Sequence, residues 1–342
     1  MSHTPTGLPF DDIRALLPQM PQASDTCVDI VRARDQELVK PAGALGRMEE
    51  IVEWLAAWQG RSQPAVLRPM VAVFAANHGV AAQGVSAYPQ AVTRQMLETF
   101  AAGGAAINQI CATYDIGLKV FDLALDIPTG DITQEAALDE KAAAATFAFG
   151  MEAIAGGADL LCLGEMGIAN TTIAAAIYHA LYGGEARDWV GRGTGVDDAG
   201  LNRKAAAVEK AVALHKAHLR DPLEVMRRVG GREICALAGA IMAARMERIP
   251  VVLDGYVVTA AAAILHALDP SSIDHCIAGH LSSEGAHGEV LSRLGKKPLL
   301  DLGMRLGEGS GAALAVGLIK AAVACHNDMA TFEQAKVASK PN

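Results

Sequence analysis

Carboxylates flanked by glycines at the ends of apolar segments are the residues of this chain whose setting best suits chemistry. Glu308 lies between Gly307 and Gly309, directly before an apolar helical pattern. A carboxylate held close to backbone and apolar residues loses hydration, which raises its pKa toward that of a useful general base. Acidic residues are also common in the first turn of ordinary helices. The spacing alone therefore leaves both interpretations open.

A second carboxylate, Glu165, lies in residues 161–172, where an apolar strand pattern passes through a glycine turn into a helix. The helix pattern begins at Asn170, Thr171 and Thr172, which are residue types common at helix N-termini. Unpaired amides and the positive dipole end at that position suit a phosphate, and Glu165 could hold a ribose hydroxyl. An ordinary strand–helix turn capped by Asn170 or Thr171 is the alternative interpretation.

A glycine-rich stretch, residues 191–198, precedes Lys204. Glycines such as Gly193 let backbone amides approach an anion closely, and Lys204 could add a point charge. The spacing matches neither G-x-G-x-x-G nor the Walker A loop, so it does not indicate a dinucleotide or a triphosphate. A flexible surface loop with a solvated lysine fits the same pattern.

The ten histidines show no metal-binding pattern. His215 and His218 are three residues apart on a polar helical pattern, and no H-E-x-x-H motif is present. His78 and His280 follow strand-like runs and could line a pocket. The chain also lacks a G-x-S-x-G elbow, which argues against a serine hydrolase. We therefore expect neither a catalytic metal nor a cofactor.

Elements that could position these segments follow from the alternation of short apolar runs with Ala-rich helical patterns. This alternation predicts a parallel sheet covered by helices on both faces. The predicted strands are residues 70–75, 117–123, 159–163 and 250–253. The predicted helices are residues 25–39, 45–58, 89–101, 138–155, 170–181, 204–219, 232–246, 256–268, 284–294 and 310–325. Because ligands bind beyond the carboxyl ends of such strands, we expect the site there, at residues 77–79, 122–126, 164–167 and 254–255.

Composition and charge exclude several classes of partner. The net charge is −9, only 4% of the 342 residues are aromatic, and no long basic block is present. Nucleic-acid binding and attachment to an anionic membrane surface are therefore not expected.

The cysteines and the apolar segments favour a cytoplasmic protein. The six cysteines form no C-x-x-C pair, and Cys162 and Cys235 lie in apolar runs, as expected of reduced structural thiols. Residues 1–12 show no signal-peptide pattern. Residues 251–268 come nearest to a membrane span, but Asp254 and His266 within them favour a buried strand–turn–helix.

Six segments of the chain resemble one family, the nicotinate-nucleotide–dimethylbenzimidazole phosphoribosyltransferases. The set spans about residues 40 to 325 in the expected order, and as a set it is highly specific. The segments are residues 40–47, 77–80 with 84–89, 164–172, 229–231, 253–255 and 305–311.

The resemblance implies a fold and an assembly. Residues 66–305 would form a large Rossmann-like α/β domain with a parallel sheet. Residues 1–65 and 306–342 would together form a small helical domain. The protein would be a homodimer in which the neighbour's small domain helps to close each active site.

The resemblance also implies residue roles. Glu308 matches the catalytic base of the family, and Lys204 matches a lysine that contacts phosphate. The expected substrate-binding residues are Tyr88, Met96, Glu165, Met166, Gly167, Asn170, Thr171, Thr172, Gly193, Lys204 and Leu306. Tyr88 and Met96 match positions that line the benzimidazole pocket, where the enterobacterial form has smaller or polar residues. This departure concerns base specificity rather than catalysis.

The implied reaction transfers the 5-phosphoribosyl group of nicotinate mononucleotide to 5,6-dimethylbenzimidazole, late in cobalamin biosynthesis. The products are alpha-ribazole 5′-phosphate and nicotinate. Two other classes stay open from the residues alone. A nicotinamide-dependent dehydrogenase would share the alternating pattern but needs a glycine fingerprint that we do not find. A base-binding carrier would bind dimethylbenzimidazole and release no nicotinate.

Overall fold

A sheet of six parallel strands organises residues 7–338, the part of the chain that the computed structural model describes. The strands are β1 (Pro69–Ala75), β2 (Gly117–Asp122), β3 (Leu160–Met166), β4 (Val251–Leu253), β5 (Cys276–His280) and β6 (Pro298–Leu300). Their order across the sheet is β2-β1-β3-β4-β5-β6. The chain leaves β1 toward one edge and β3 toward the other, so the crevice for a ligand is expected where β1 and β3 adjoin.

Fifteen α-helices surround this sheet within the described residues. They are α1 (Phe10–Leu16), α2 (Asp25–Glu37), α3 (Arg47–Gln59), α4 (Val92–Ala101), α5 (Ala106–Tyr114), α6 (Glu140–Ala153), α7 (Asn170–Tyr182), α8 (Ala186–Trp189), α9 (Asp198–His215), α10 (Pro222–Val229), α11 (Arg232–Met246), α12 (Tyr256–Leu268), α13 (His287–Arg293), α14 (Ser310–Asp328) and α15 (Phe332–Ala335).

The two faces of the sheet bury separate apolar cores. Leu161 and Leu163 of β3 point into a first core, which is built with α6, α7, α11 and α12. Leu160 and Cys162 point into a second core, built with α3, α5 and α14. Every residue of β1 is buried, as its continuous apolar sequence predicts for a strand covered on both faces. The predicted parallel sheet flanked by helices is confirmed.

Several elements were not predicted, and some predicted helices begin at different residues. Strands β5 and β6 and helices α1, α5, α8, α10 and α15 were not predicted. Helix α9 begins at Asp198 rather than at residue 204, because the Asp197 side chain caps it by accepting from the Gly200 amide at 2.7 Å. Helix α13 begins at His287 rather than at residue 284. Lys204 therefore lies in the second turn of a helix and not at its start.

The two ends of the chain contact each other. Arg34 of α2 donates to the carbonyls of His326 and Asn327 at 2.9 and 2.8 Å, and Leu38 forms a β-bridge with Thr331. Such contact is what a domain built from both ends requires. The division at residues 65 and 305 stays a prediction.

Two apolar helices bear on the membrane question. Residues 251–268 fold as β4 followed by α12, as predicted. Within residues 7–338, α14 alone is long and apolar enough to cross a membrane, but 56% of it is buried. Because α14 fills the second core, its apolar residues have a structural role.

All six cysteines are free.

Candidate active site

A cleft with two adjoining compartments lies at the carboxyl ends of β3, β4 and β5. The empty space, part of which is open solvent in both cases, is about 610 Å³ in the first compartment and about 290 Å³ in the second. The residues shared by both linings are Gly167, Ile168, Asn170, Thr171, Gly193 and Thr194. The turn between β3 and α7 therefore separates the two compartments, in the segment that the sequence predicted.

Glu308 lies in a loop with an unusual backbone. Gly307, Glu308 and Gly309 have successive φ angles of 84°, 65° and 81°, and a non-glycine residue in this region costs on the order of 1 kcal/mol or more. The glycines on both sides make this path possible. The Glu308 side chain is 4% exposed, and its Oε2 has no hydrogen-bond partner within the described residues. Burial raises the pKa of Glu308, although a hydrogen bond donated by the Ile107 backbone amide opposes the rise.

Asp254, directly after β4, anchors this loop. Its carboxylate is fully buried and accepts the backbone amides of Gly309 (3.1 Å), Gly311 (2.7 Å) and Ala312 (3.0 Å). These amides belong to the start of α14 and the residue before it, so Asp254 caps the helix from a distant strand. Burial raises the pKa of Asp254 to about 7 against these three bonds.

Glu165 and Glu308 lie on opposite faces of the sheet edge. Because residues alternate along β3, Glu165 points to the face of the first core with Leu163. Gly164 points to the other face, where a Cβ atom would lie 2.6 Å from the Glu308 carbonyl carbon. Met96 and Met166 pack against the second core on this same face. The Glu308 side of the strand end is therefore lined by flexible apolar side chains.

The Glu165 carboxylate is buried close to other acids. It is 8% exposed and accepts a hydrogen bond from the Asn170 side chain. Burial raises the pKa of Glu165 to about 8, and the charges of Asp254, Glu233 and Glu308 add to this effect. A cation bound between these carboxylates would be strongly favoured.

Lys204, which is 1% exposed, places a buried amino group in the lining of the second compartment. Its ammonium group donates to the Thr171 hydroxyl at 3.0 Å and to the Gly191 carbonyl at 2.7 Å. Helix α7 begins after Ala169, whose φ is 78°, and no side-chain oxygen caps it. Asn170 and Thr171 are thus not caps. Burial lowers the pKa of Lys204 to about 8, while the charge of Glu284 opposes this.

Sequence reasoning missed the residues that follow β5. Glu284 is 6% exposed and accepts the Gly193 amide at 2.7 Å, while its Oε2 has no partner within the described residues. Arg305 donates to the Gly193 carbonyl at 2.6 Å. A side chain at Gly191 would overlap the Glu284 carboxylate. Assigning residues 276–280 to a strand would have indicated Ser282 and Glu284 as site residues, because they follow its carboxyl end.

A buried relay centred on His287 fixes two walls of the first compartment. The Ser282 amide donates to His287 Nδ1 at 2.9 Å. Thr259 donates to the Gly255 carbonyl at 2.8 Å, so the 3.0 Å contact of its Oγ1 with His287 Nε2 has the imidazole as donor. Burial lowers the pKa of His287 to about 3, with His280 adding to the effect. The relay therefore needs the neutral imidazole.

Replacing His287 by asparagine is expected to lower the free energy of unfolding by about 1 kcal/mol or more at neutral pH, because the bond to Thr259 is lost. The stability of the wild type should also fall more steeply below pH 6.5, since its unfolded state takes up a proton that the folded state excludes down to about pH 3. The difference in slope reaches at most about 1.4 kcal/mol per pH unit.

Urea unfolding between pH 7 and 4 measures this difference. The exposed His218, replaced by asparagine, is the control. Parallel curves for wild type and His287→Asn would show that His287 is not held neutral.

Some of the remaining predicted residues line the cleft, and others do not. Met166, Gly167, Asn170, Thr171, Gly193 and Leu306 line the cleft. Thr172 is fully buried inside α7 and lines neither compartment. Tyr88 is 52% exposed in the loop before α4, and Met96 is half-buried on α4. The buried Thr93 of α4 accepts the Ile168 amide at 3.2 Å, so α4 is tied to the turn before α7.

The two histidines predicted to line a pocket differ. His280 lines the first compartment, and burial lowers its pKa to about 4. His78 is fully buried below the turn, with its Nε2 2.9 Å from the Glu233 carboxylate, and lines neither compartment. Across residues 7–338, no group of three or more His, Cys, Asp or Glu side chains could hold a metal ion.

Comparisons with known proteins point to one family. A family model described as Phosphoribosyltransferase matches residues 20–337. Nicotinate-nucleotide–dimethylbenzimidazole phosphoribosyltransferase of Methylocella silvestris is 71% identical over 332 residues, which cover 97% of each chain. The protein of the same name from Rhizobium rhizogenes is 67% identical and covers 98% of this chain and 99% of its own length.

The solved structures show the same relationship. A crystal structure of nicotinate-nucleotide–dimethylbenzimidazole phosphoribosyltransferase from Thermus thermophilus matches with a TM-score of 0.85 and 42% sequence identity. The match covers 92% of this chain and 99% of that one. The chain therefore belongs to the nicotinate-nucleotide–dimethylbenzimidazole phosphoribosyltransferase family of pentosyltransferases, which acts in cobalamin biosynthesis.

Proposed function

We propose that this protein transfers the 5-phosphoribosyl group of nicotinate mononucleotide to 5,6-dimethylbenzimidazole, releasing nicotinate. The observation that carries the proposal is the arrangement of unlike groups around one strand end. Lys204 and Thr171 offer a phosphate site on one face of β3, and a buried, partly unpartnered Glu308 lies on the other face. A ribosyl group bound across the strand end would have its phosphate and its acceptor base on different faces of the sheet.

Glu308 acts in this proposal as the general base. Dimethylbenzimidazole attacks C1′ through one nitrogen and becomes cationic unless its other N–H is deprotonated. Glu308 accepts that proton, for which its raised pKa is suited. Met96 and Met166 border this side and can pack against a flat apolar ring. Tyr88 is proposed to close the outer end of the base subsite.

Glu165 stabilises positive charge on the ribosyl group. The bond to nicotinate breaks as the pyridinium nitrogen recovers its electron pair, so positive charge builds up on the ribose as the ring nitrogen becomes neutral. The Glu165 carboxylate has Asp254 and Glu308 near it, so its ionisation is disfavoured in the empty site. When Glu165 is ionised, its negative charge favours the cationic transition state.

Replacing Lys204 by alanine is expected to raise KM for nicotinate mononucleotide by roughly 10- to 100-fold, since a charge-assisted bond to phosphate contributes about 1.5–3 kcal/mol. KM for dimethylbenzimidazole should change little. In the wild type, nucleotide affinity should fall as the pH rises through about 8, where Lys204 loses its charge, and the variant should lack this fall. Steady-state kinetics from pH 6.5 to 9.5 measure both effects, with thermal melts to confirm folding. An equal rise in KM for both substrates would assign Lys204 a structural role.

The protein is further inferred to work as a homodimer in the cytoplasm. Large apolar side chains are exposed, with Tyr88, Leu302 and Leu306 at 52%, 61% and 56% exposure, and Leu306 lines the cleft. A neighbouring copy that covered them would also close the cleft over its substrates. Analytical ultracentrifugation, with and without substrates, tests the assembly.

The experiment that tests the function is chromatography of the protein incubated with nicotinate mononucleotide, with and without dimethylbenzimidazole. The proposal expects nicotinate release that depends on the base, together with a new ribosylated base. Binding of dimethylbenzimidazole without nicotinate release would identify a carrier. A change in NADH fluorescence on mixing, with no transfer, would favour the dehydrogenase.

A further inference from the structure

The proposed nucleotide substrate carries two anionic groups, and the first compartment is acidic. Nicotinate mononucleotide has a phosphate at one end and a carboxylate on its pyridine ring at the other. The lining of the first compartment includes the buried side chains of Glu165 and Glu284, and Glu284 Oε2 has no hydrogen-bond partner within the described residues. An anionic ring substituent that entered beside an ionised carboxylate would be repelled unless a cation accompanied it.

Arg305 is the cation of this compartment. It lines the first compartment, where no Lys or other Arg is present, whereas Lys204 lines only the second. The Gly193 backbone lies between the two cations, because Arg305 donates to its carbonyl and Lys204 Nζ would lie 3.3 Å from a Cβ atom on it. The two positive charges thus belong to different compartments on either side of one residue.

The guanidinium of Arg305 has capacity for a ligand. One of its five N–H donors goes to Gly193. Throughout residues 7–338, no carboxylate lies within 4.0 Å of its nitrogens. A guanidinium bonded to a carbonyl on one side and facing a cleft on the other can bind a carboxylate through two parallel bonds.

We propose that Arg305 binds the pyridine carboxylate and thereby selects nicotinate mononucleotide over nicotinamide mononucleotide. This inference rests on the proposed function. Lys204 and Thr171 hold the phosphate in the second compartment, and the pyridine ring lies in the first compartment with its carboxylate toward Arg305. The carboxamide of the nicotinamide nucleotide is neutral and forms no ion pair there.

The same contact promotes departure of the ring. In the substrate the pyridinium charge offsets the carboxylate charge, so the group that faces Arg305 is a zwitterion. When the bond from C1′ to nitrogen breaks, the electron pair returns to the ring and the leaving group becomes an anion. The attraction to Arg305 grows along the reaction, and this raises kcat as well as affinity.

The test compares wild type, Arg305→Gln, Arg305→Lys and Lys204→Ala, each with nicotinate and nicotinamide mononucleotides. The wild type should have the higher kcat/KM with the nicotinate nucleotide. Arg305→Gln should reduce this preference at least 10-fold by losing activity on that nucleotide, and Arg305→Lys should restore part of it. Lys204→Ala should lower kcat/KM for both nucleotides by similar factors. Because the Arg305 side chain is exposed, the variants are expected to fold, which thermal melts check.

Inhibition by the separate fragments gives a second readout. Free nicotinate should inhibit the wild type more strongly than Arg305→Gln, whereas inorganic phosphate should inhibit both equally. An unchanged nucleotide preference in Arg305→Gln, or equal loss on both nucleotides, would overturn the assignment of Arg305 while leaving the proposed function intact. A wild type that forms no ribosylated base with either nucleotide would instead overturn the proposed function.

Discussion

Replacing Glu308 by glutamine is expected to lower kcat by roughly 10²-fold or more while both substrates still bind. The amide keeps the shape of the side chain but cannot accept the benzimidazole proton. The path through Gly307 and Gly309 is unchanged, so the fold should survive. The residual rate should rise with pH as the proton is lost to solvent instead. Steady-state kinetics across pH measure the loss.

A matched control separates this effect from a general loss of acidity. Glu247 is exposed at the end of α11. It lies just before β4, at the edge of the sheet opposite the cleft, and Glu247→Gln should retain wild-type kcat. A fully active Glu308→Gln enzyme would exclude Glu308 as the base, and Glu165 would be the next candidate. Glu165 also has a raised pKa, of about 8.

Replacing Asp254 by alanine is expected to remove the anchor of the Glu308 loop. The change leaves three buried amides without their acceptor, which should lower the free energy of unfolding by about 3 kcal/mol or more. Because Gly309 is released, the positive-φ path at Glu308 loses its support and kcat should fall together with stability. Urea unfolding and kinetics at a temperature where the variant is folded measure the two effects.

Asp254→Asn makes this prediction sharper. One oxygen of the carboxylate accepts from both Gly311 and Ala312, so an asparagine oxygen can keep these bonds, whereas the bond to Gly309 is lost. The asparagine variant should therefore be intermediate in stability and still impaired in kcat. If both variants were as stable and as active as the wild type, Asp254 would not hold the loop.

Most of the sheet could be predicted because burial on both faces leaves a simple signal. Strand β1 is a continuous apolar run, and β3 begins with one at residues 160–163. Strand β5 ends in Gly279 and His280 because the start of α14 packs against it, and a Cβ atom at Gly279 would lie 2.8 Å from Ala312 Cα. That close contact depends on residues far apart in the sequence, so the strand was missed.

Part of the candidate site could likewise be predicted from the sequence, and part could not. Glu165, Glu308 and the start of α7 are adjacent to glycines in local patterns, so sequence alone could indicate them. The partners of Gly193 could not be predicted, because Glu284 and Arg305 come to it from residues about 90 and 110 positions away. Which oxygen or amide these side chains contact depends on how the loops after β5 and β6 fold back over the cleft.

In the proposed site, the base and the leaving group are bound on opposite sides of the ribosyl carbon. The anomeric configuration of the product, determined by NMR after reaction of β-nicotinate mononucleotide with dimethylbenzimidazole, tests it most directly. Attack from the side of Glu308, with nicotinate leaving into the first compartment, inverts C1′ and predicts the α-anomer with one nicotinate per product. A β-anomer, or nicotinate released faster than the ribosylated base forms, would contradict this account.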